Sequence, residues 1–176
     1  MRIPSRDIPQ ADLLQDVLAC ARMVSKGATS YQEMAGLLRK TDRQGRYYRR
    51  AGEILGLIET VGKNRSHITP FGSKVLALDP EARKVILAKR VSELAIFRMV
   101  LKALDNSGGS MDRHDIEELL QFKTRLATRE MRQRRLKTIV SWLVYVRLVK
   151  ESEAGISLRV SPKKDKQQYI HYDPLS

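Results

Sequence analysis

The strongest constraint on the fold is an order of segments that occurs twice along the chain. Each half carries an apolar helical pattern, a short helix with a capping signal, a basic helix and two short strands around a turn. The short helices align over 33–38 and 115–120, and the ends of the strand pairs align over 68–70 and 160–162. A repeated order of this kind indicates two structural units built on one plan.

Apolar spacing and capping residues predict the individual elements. Ser30 or Thr29 caps the short helix, with Glu33 completing a capping box, and Asp42 caps the basic helix up to Gly56. The expected fold class is mainly α with small β-hairpins, arranged as two units in tandem. The predicted helices span 9–25, 31–39, 43–55, 71–78, 81–90, 94–104, 113–120 and 128–145, and the strands 57–61, 66–69, 148–151 and 156–160. The expected domains are 1–79, 80–161 with a connecting helix, and a basic tail over 162–176.

Positive charge is concentrated in the two basic helices. Residues 39–50 hold six basic residues and one acid, and residues 123–137 hold seven basic residues and one acid. These two segments therefore supply +11 of the formal net charge of +13. Because acids are nearly absent from both, the charges are not balanced within each helix, and we expect a polyanionic partner.

Composition excludes several other classes of protein. A single cysteine, Cys20, rules out an intrachain disulfide, and it is expected to be buried. Cys20, His67, His114 and His171 lack the spacing of metal ligands, so no metal or cofactor is expected. No apolar stretch approaches the roughly 20 residues that a membrane span needs, and the N-terminus lacks the pattern of a signal peptide. We therefore expect a cytoplasmic, nucleoid-associated protein without a membrane partner.

The repeated layout resembles the winged helix-turn-helix family. Residues 29–35 resemble its positioning helix, 42–50 its recognition helix, and 57–59 with 66–72 its wing strands. The resemblance covers about residues 9–78 and, more weakly, 91–161. It implies sequence-specific binding of double-stranded DNA, with the basic helix in the major groove. Tandem arrays of this kind are similar to the recognition parts of some restriction endonucleases, in which catalysis belongs to another domain or subunit.

Candidate DNA contacts in the first unit follow from the helix face and the wing. Arg43, Arg46 and Arg50 share one helical face, and Gln44 and Arg46 suit bidentate contacts with base edges. Tyr47 fits the inward stripe better than Tyr48, and the neighbouring Gly45 is expected to allow close approach of the backbone to DNA. The full set comprises Arg43, Gln44, Arg46, Tyr48, Arg49 and Arg50, with Lys63, Asn64 and Arg65 in the wing.

The second unit offers a comparable but less regular set. Arg125, Arg129 and Arg132 form one expected face, and Arg135 lies near it. The second wing is acidic at Glu151 and Glu153, which suits a protein contact as well as a DNA contact. Trp142 lies within an apolar run and is expected to anchor the core.

No catalytic constellation is evident in the sequence. Asp79, Glu81 and Lys84 superficially resemble a magnesium-dependent nuclease site, but they stand at a helix start, where Asp79 serves more simply as a cap. The leading hypothesis is therefore a DNA-recognition module of a restriction-type system, with a separate catalytic domain or subunit as a partner. A stand-alone transcription regulator, a small magnesium-dependent nuclease and a protein-interaction module are the alternatives.

Overall fold

The computed structural model describes residues 2–159, which form eight α-helices and two small antiparallel sheets. This composition confirms the expected class, mainly α with small β-hairpins. The basic tail expected over 162–176 lies outside the described residues. In chain order the elements are a 3-10 turn at Ser5–Asp7, α1 Leu14–Ser25, α2 Tyr31–Leu37, α3 Asp42–Leu55, β1 Ile58–Val61, β2 Arg65–Ile68, α4 Pro70–Ala77, α5 Pro80–Glu93, α6 Ala95–Asn106, β3 Ser110–Asp112, α7 Arg113–Lys123, α8 Arg129–Tyr145, β4 Val149–Ser152 and β5 Gly155–Leu158.

The first half packs three helices beside a hairpin. Ser30 and Glu33 form the expected capping box at α2. The predicted cap of α3 is wrong by one residue, because Thr41 rather than Asp42 accepts from the backbone N–H of Gln44. After α3, the backbone turns through a left-handed Gly56 into β1, which pairs antiparallel with β2.

The second half contains a strand that was not expected. Residues 106–110 carry loop signals, yet Ser110 begins β3, which pairs with β5 to give the strand order β3-β5-β4. This pairing joins Met111 to Ile156 across a long stretch of chain, so local patterns do not reveal it. Asp79, Asp112 and Thr128 cap their helices as expected.

The N-terminal segment joins the two halves. The expected helix over 9–25 begins only at Leu14, and the residues before it lie against the second half. The backbone of Ile3 bonds to that of Lys123 and Arg125, and the indole nitrogen of Trp142 donates to the carbonyl of Ala11 at 2.9 Å. One hydrophobic core therefore crosses the expected boundary at residue 79, with buried residues contributed from both sides.

Trp142 is the expected core anchor, with 0% of its surface exposed and its ring stacked on Phe97 at 5.6 Å. None of the helices between residues 2 and 159 has the length and apolar character needed to cross a membrane.

Candidate nucleic-acid interface

The outward face of α3 is lined with exposed cationic and amide side chains. Arg43, Gln44, Arg46 and Arg50 are all exposed. Their positions place the three arginines on one side of the helix, as the sequence predicts. The side-chain oxygen of Gln44 accepts from the backbone N–H of Thr41 at 3.0 Å and so completes the cap of the helix. Only its amide N–H groups remain for an outside partner.

Two of these arginines lie on tyrosine rings. The Arg46 guanidinium is 4.7 Å from the centroid of the Tyr31 ring and donates to its hydroxyl at 3.2 Å. Arg43 lies 5.6 Å from the Tyr47 ring and donates to its hydroxyl at 2.6 Å. Neither guanidinium pairs with a carboxylate anywhere in residues 2–159. The tyrosines therefore orient two arginines without neutralising their charge.

Tyr48 does not lie on this face, and its assignment as a DNA contact is wrong. Tyr48, Ala51 and Leu55 form the buried stripe of α3, and Tyr48 is 5% exposed. Its hydroxyl donates to Asp16 at 3.2 Å, and burial raises the pKa of Tyr48 to about 12. Tyr47 instead is partly exposed, which reverses the expected roles of the two tyrosines.

Gly45 faces α2, contrary to the expectation that it approaches DNA. A Cβ atom at this position would lie 2.4 Å from the backbone oxygen of Tyr31 and 2.8 Å from the Cβ of Ala35. The glycine therefore allows α2 and α3 to pack closely. This contact lies inside the protein, so Gly45 is unavailable to a nucleic acid.

Arg49 and Asn64 form a network that ties the hairpin to the helices. Arg49 is half-buried, and its guanidinium donates to the side-chain oxygen of Asn64 at 2.5 Å. Asn64 also accepts from the backbone N–H of Tyr31 at 3.3 Å and donates to Gln32 at 2.9 Å. Glu53 also lies 3.7 Å from Arg49. The side chains of Arg49 and Asn64 are therefore both engaged within the fold.

The remaining candidate cations of the β1–β2 hairpin are exposed. Lys63 and Arg65 flank Asn64 at the hairpin tip, and both are exposed. Among the exposed arginines of α3, Arg50 is the least free, since it pairs with Glu53 at 3.0 Å and lies 4.0 Å from Asp7. Four of the candidate cations on this side are therefore exposed and pair with no carboxylate within residues 2–159, namely Arg43, Arg46, Lys63 and Arg65.

In the second half, the expected basic face of α8 divides into three environments. Arg125 and Arg132 line one cavity, whereas Arg129 pairs with Glu117 at 3.4 Å. Arg135 is 9% exposed, so its assignment as a DNA contact is wrong. Burial lowers the pKa of Arg135, while the nearby Tyr47 and Asp12 favour its charged form. Its side chain is thus enclosed where α8 approaches the first half.

The acids considered for catalysis serve as caps and ion-pair partners. Asp79 accepts from the backbone of Glu81 and Ala82 at 3.0 Å, and these bonds lower its pKa. Glu81 pairs with Lys84 at 3.0 Å and with Arg147 at 2.5 Å, and its pKa is lowered chiefly by the bond from Lys84.

One group that the sequence reasoning missed is Asp112, His114 and Asp115, whose side-chain ligand atoms lie within 4.8 Å of one another. All three are exposed, and Asp112 also caps α7. The signal that could have found it is the close spacing of an acid, a histidine and a second acid around a helix start.

A family model described as a domain of unknown function, DUF7226, matches residues 17–151. No curated protein and no solved structure matches the chain.

Proposed function

The chain belongs to the DUF7226 family, and we propose that this member binds double-stranded DNA through the exposed face of α3. The observation that carries the proposal is the pair of arginines, Arg43 and Arg46, held on tyrosine rings without a carboxylate partner. Each guanidinium donates to one tyrosine hydroxyl, and both side chains are exposed, so further N–H donors remain for a partner. Such donors suit the paired acceptors of guanine in the major groove.

The hairpin tip supports the same assignment. Lys63 and Arg65 are exposed, and Asn64 fixes the turn between them against α2. A lysine and an arginine held in this position suit backbone phosphates, which set the register of a protein on DNA without reading its sequence. Arg46 and the amide N–H groups of Gln44 would then read bases, and the wing would contact the backbone.

We further propose that both halves are winged helix-turn-helix units. The order α1-α2-α3-β1-β2 in the first half and α6-β3-α7-α8-β4-β5 in the second supports this reading. The first unit would contact the bases, because in α8 of the second unit Arg135 is buried and Arg129 pairs with Glu117. A recognition module of a restriction-type system and a stand-alone regulator would use the α3 face in the same way. The module would act with a separate catalytic domain or subunit.

The test is a selection from a randomised duplex DNA pool at two salt concentrations, with magnesium present. One enriched motif is expected, and Arg46→Ala should weaken discrimination at one position by about 1–3 kcal/mol. Arg98→Ala, an exposed arginine on α6, is the charge-matched control and should leave the motif unchanged. Absence of duplex binding would overturn the proposal. Cleaved DNA would favour the nuclease alternative and direct mutagenesis to Asp112, His114 and Asp115.

A further inference from the structure

A basic cavity of about 450 Å³ lies at the turn between α7 and α8. The N-terminal segment builds one wall, because Ile3 donates to the carbonyl of Lys123 at 2.8 Å and accepts from Arg125 at 2.9 Å. This short parallel pairing brings Arg2 beside Arg125, although the two are far apart in sequence. Arg2, Arg125 and Arg132 line the cavity together with Gln121 and Phe122.

The cavity is arranged for an anion. Three arginines line it, and within residues 2–159 no acid does. The Nε of Arg132 is buried and has no hydrogen-bond partner in the same part of the chain. Arg132 stands in the first turns of α8, a helix of 17 residues, where the backbone dipole also favours negative charge. An unsatisfied guanidinium nitrogen at such a wall is a donor without its acceptor.

The same cavity has an aromatic wall. Phe122 is 62% exposed, although a phenylalanine is normally buried. A free aromatic face beside cations is the arrangement on which unpaired bases stack while their phosphates are neutralised. Gln121 adds an amide that donates and accepts hydrogen bonds. The volume falls in the range of roughly 300–1,000 Å³ that is typical of small-ligand sites.

We propose that this cavity binds one unpaired nucleotide, with its phosphate on Arg2, Arg125 and Arg132 and its base on Phe122. The site is separate from the α3 face and does not depend on duplex binding there. The nucleotide comes either from a free nucleoside monophosphate or from the phosphorylated end of a nucleic-acid strand. Both sources present the same phosphate and base.

The test is isothermal titration of the full chain with inorganic phosphate, adenosine, adenosine monophosphate and a 5′-phosphorylated single-stranded hexanucleotide. The monophosphate is expected to bind at least about tenfold more tightly than either the nucleoside or inorganic phosphate, since only it meets both walls. A further gain for the hexanucleotide would identify a strand end as the source. Equal affinity for the monophosphate and the hexanucleotide would identify the free nucleotide.

Variants separate the two walls. Arg132→Ala should weaken binding of the monophosphate by about tenfold or more, whereas Arg134→Ala, an exposed neighbour outside the cavity, should not. Phe122→Ala should weaken binding of the monophosphate by about fivefold to 100-fold but leave binding of inorganic phosphate unchanged. Leu37→Ala, at an equally exposed apolar position, is its control.

No binding of any phosphate-bearing probe would overturn the proposal. The proposal would also be overturned if inorganic phosphate and the monophosphate bound with equal affinity and Phe122→Ala changed neither affinity. Those results would indicate an anion site that does not recognise the base. Arg46→Ala should weaken duplex discrimination at one base position while nucleotide binding persists. Failure of the proposed duplex binding at α3 can therefore be distinguished from failure of the proposed nucleotide binding in this cavity.

Discussion

At the scale of single residues, Gly45 sets how closely α2 and α3 approach each other. Glycine to alanine in a helix normally stabilises by about 1 kcal/mol. Gly45→Ala should instead destabilise the fold by about 1–3 kcal/mol, because its Cβ would press on the Tyr31 backbone, which cannot move aside easily. Gly36→Ala on α2 is the control, since nothing lies within 4 Å of its Cβ, and it should stabilise. Denaturation by urea measures both, and a stabilised Gly45→Ala would contradict the packing described.

The two adjacent tyrosines of α3 should respond differently to loss of the hydroxyl. Tyr48→Phe removes the hydroxyl that donates to Asp16, which keeps its ion pair with Lys40, and should cost about 1 kcal/mol of stability, with unchanged affinity for duplex DNA. Tyr47→Phe should retain stability and weaken duplex binding, because Arg43 loses the hydroxyl that orients it. Thermal unfolding and fluorescence anisotropy on one labelled duplex provide the two readouts. Weaker duplex binding by Tyr48→Phe alone would overturn this assignment.

At the scale of elements, the start of α2 depends on an ionised Glu33. Its carboxylate accepts from the backbone of Thr29 and Ser30, at 2.8 and 2.9 Å, and these bonds lower the pKa of Glu33 to about 2. A lowered pKa in the folded state adds stability above the ordinary pKa of 4.5, and that contribution is lost as pH falls towards 2. The stability difference between the native chain and Glu33→Gln should therefore be largest at neutral pH and shrink below pH 4.5. Urea unfolding at pH 7 and pH 3 checks this, and a constant difference would exclude the carboxylate.

We expect Asn64 to hold the β1–β2 hairpin in place and Lys63 to contact DNA phosphates. Asn64→Ala removes the bonds to Arg49, Gln32 and the backbone of Tyr31, so amide exchange in β1 and β2 should quicken. Lys63→Ala should leave exchange unchanged but flatten the dependence of log affinity for duplex DNA on log salt by about one unit. An unaltered salt slope would remove Lys63 from the phosphate contacts.

Local chemistry explains which elements could be predicted. Ser30 with Glu33, Asp79 and Thr128 were identified as caps because a capping side chain and the backbone N–H that donates to it lie within three residues of each other. The rotation of a helix against its neighbours is not local. Residue spacing favours Tyr47 as the inward tyrosine, but packing of α3 against α1 buries Tyr48 instead. β3 was missed for the same reason, since its partner β5 lies far along the chain.

At the scale of the whole molecule, the two halves share one core. The chain should therefore unfold in one cooperative transition, reported equally by circular dichroism and by the fluorescence of Trp142, the single tryptophan. Leu55→Ala, in the first half, should cost about 2–5 kcal/mol and lower the midpoints of both signals together. If the halves were independent, the Trp142 signal in the second half would keep its midpoint.

Shared packing also explains why the candidate sites were only partly predictable. Arg43 and Arg46 were found from the helical repeat alone, and the structure leaves both of them exposed. Arg135 follows the same repeat but is buried where α8 meets the first half. The cavity at Arg132 depends on Arg2, which approaches only through the pairing of Ile3 beside Lys123. No periodicity within one segment carries that information.

The hydrogen bonds between the N-terminal segment and α8 have a consequence for synthesis on the ribosome. Ala11 and Asp12 bond to Trp142 and Thr138, which follow them by 131 and 126 residues. During synthesis this segment therefore lacks these two partners until α8 has emerged from the exit tunnel. Helices α1 to α3 can associate during translation, but the cavity beside Arg2 forms only in the last stage. Chains truncated before α8 would lack both the hydrogen bonds to Ala11 and Asp12 and the cavity beside Arg132.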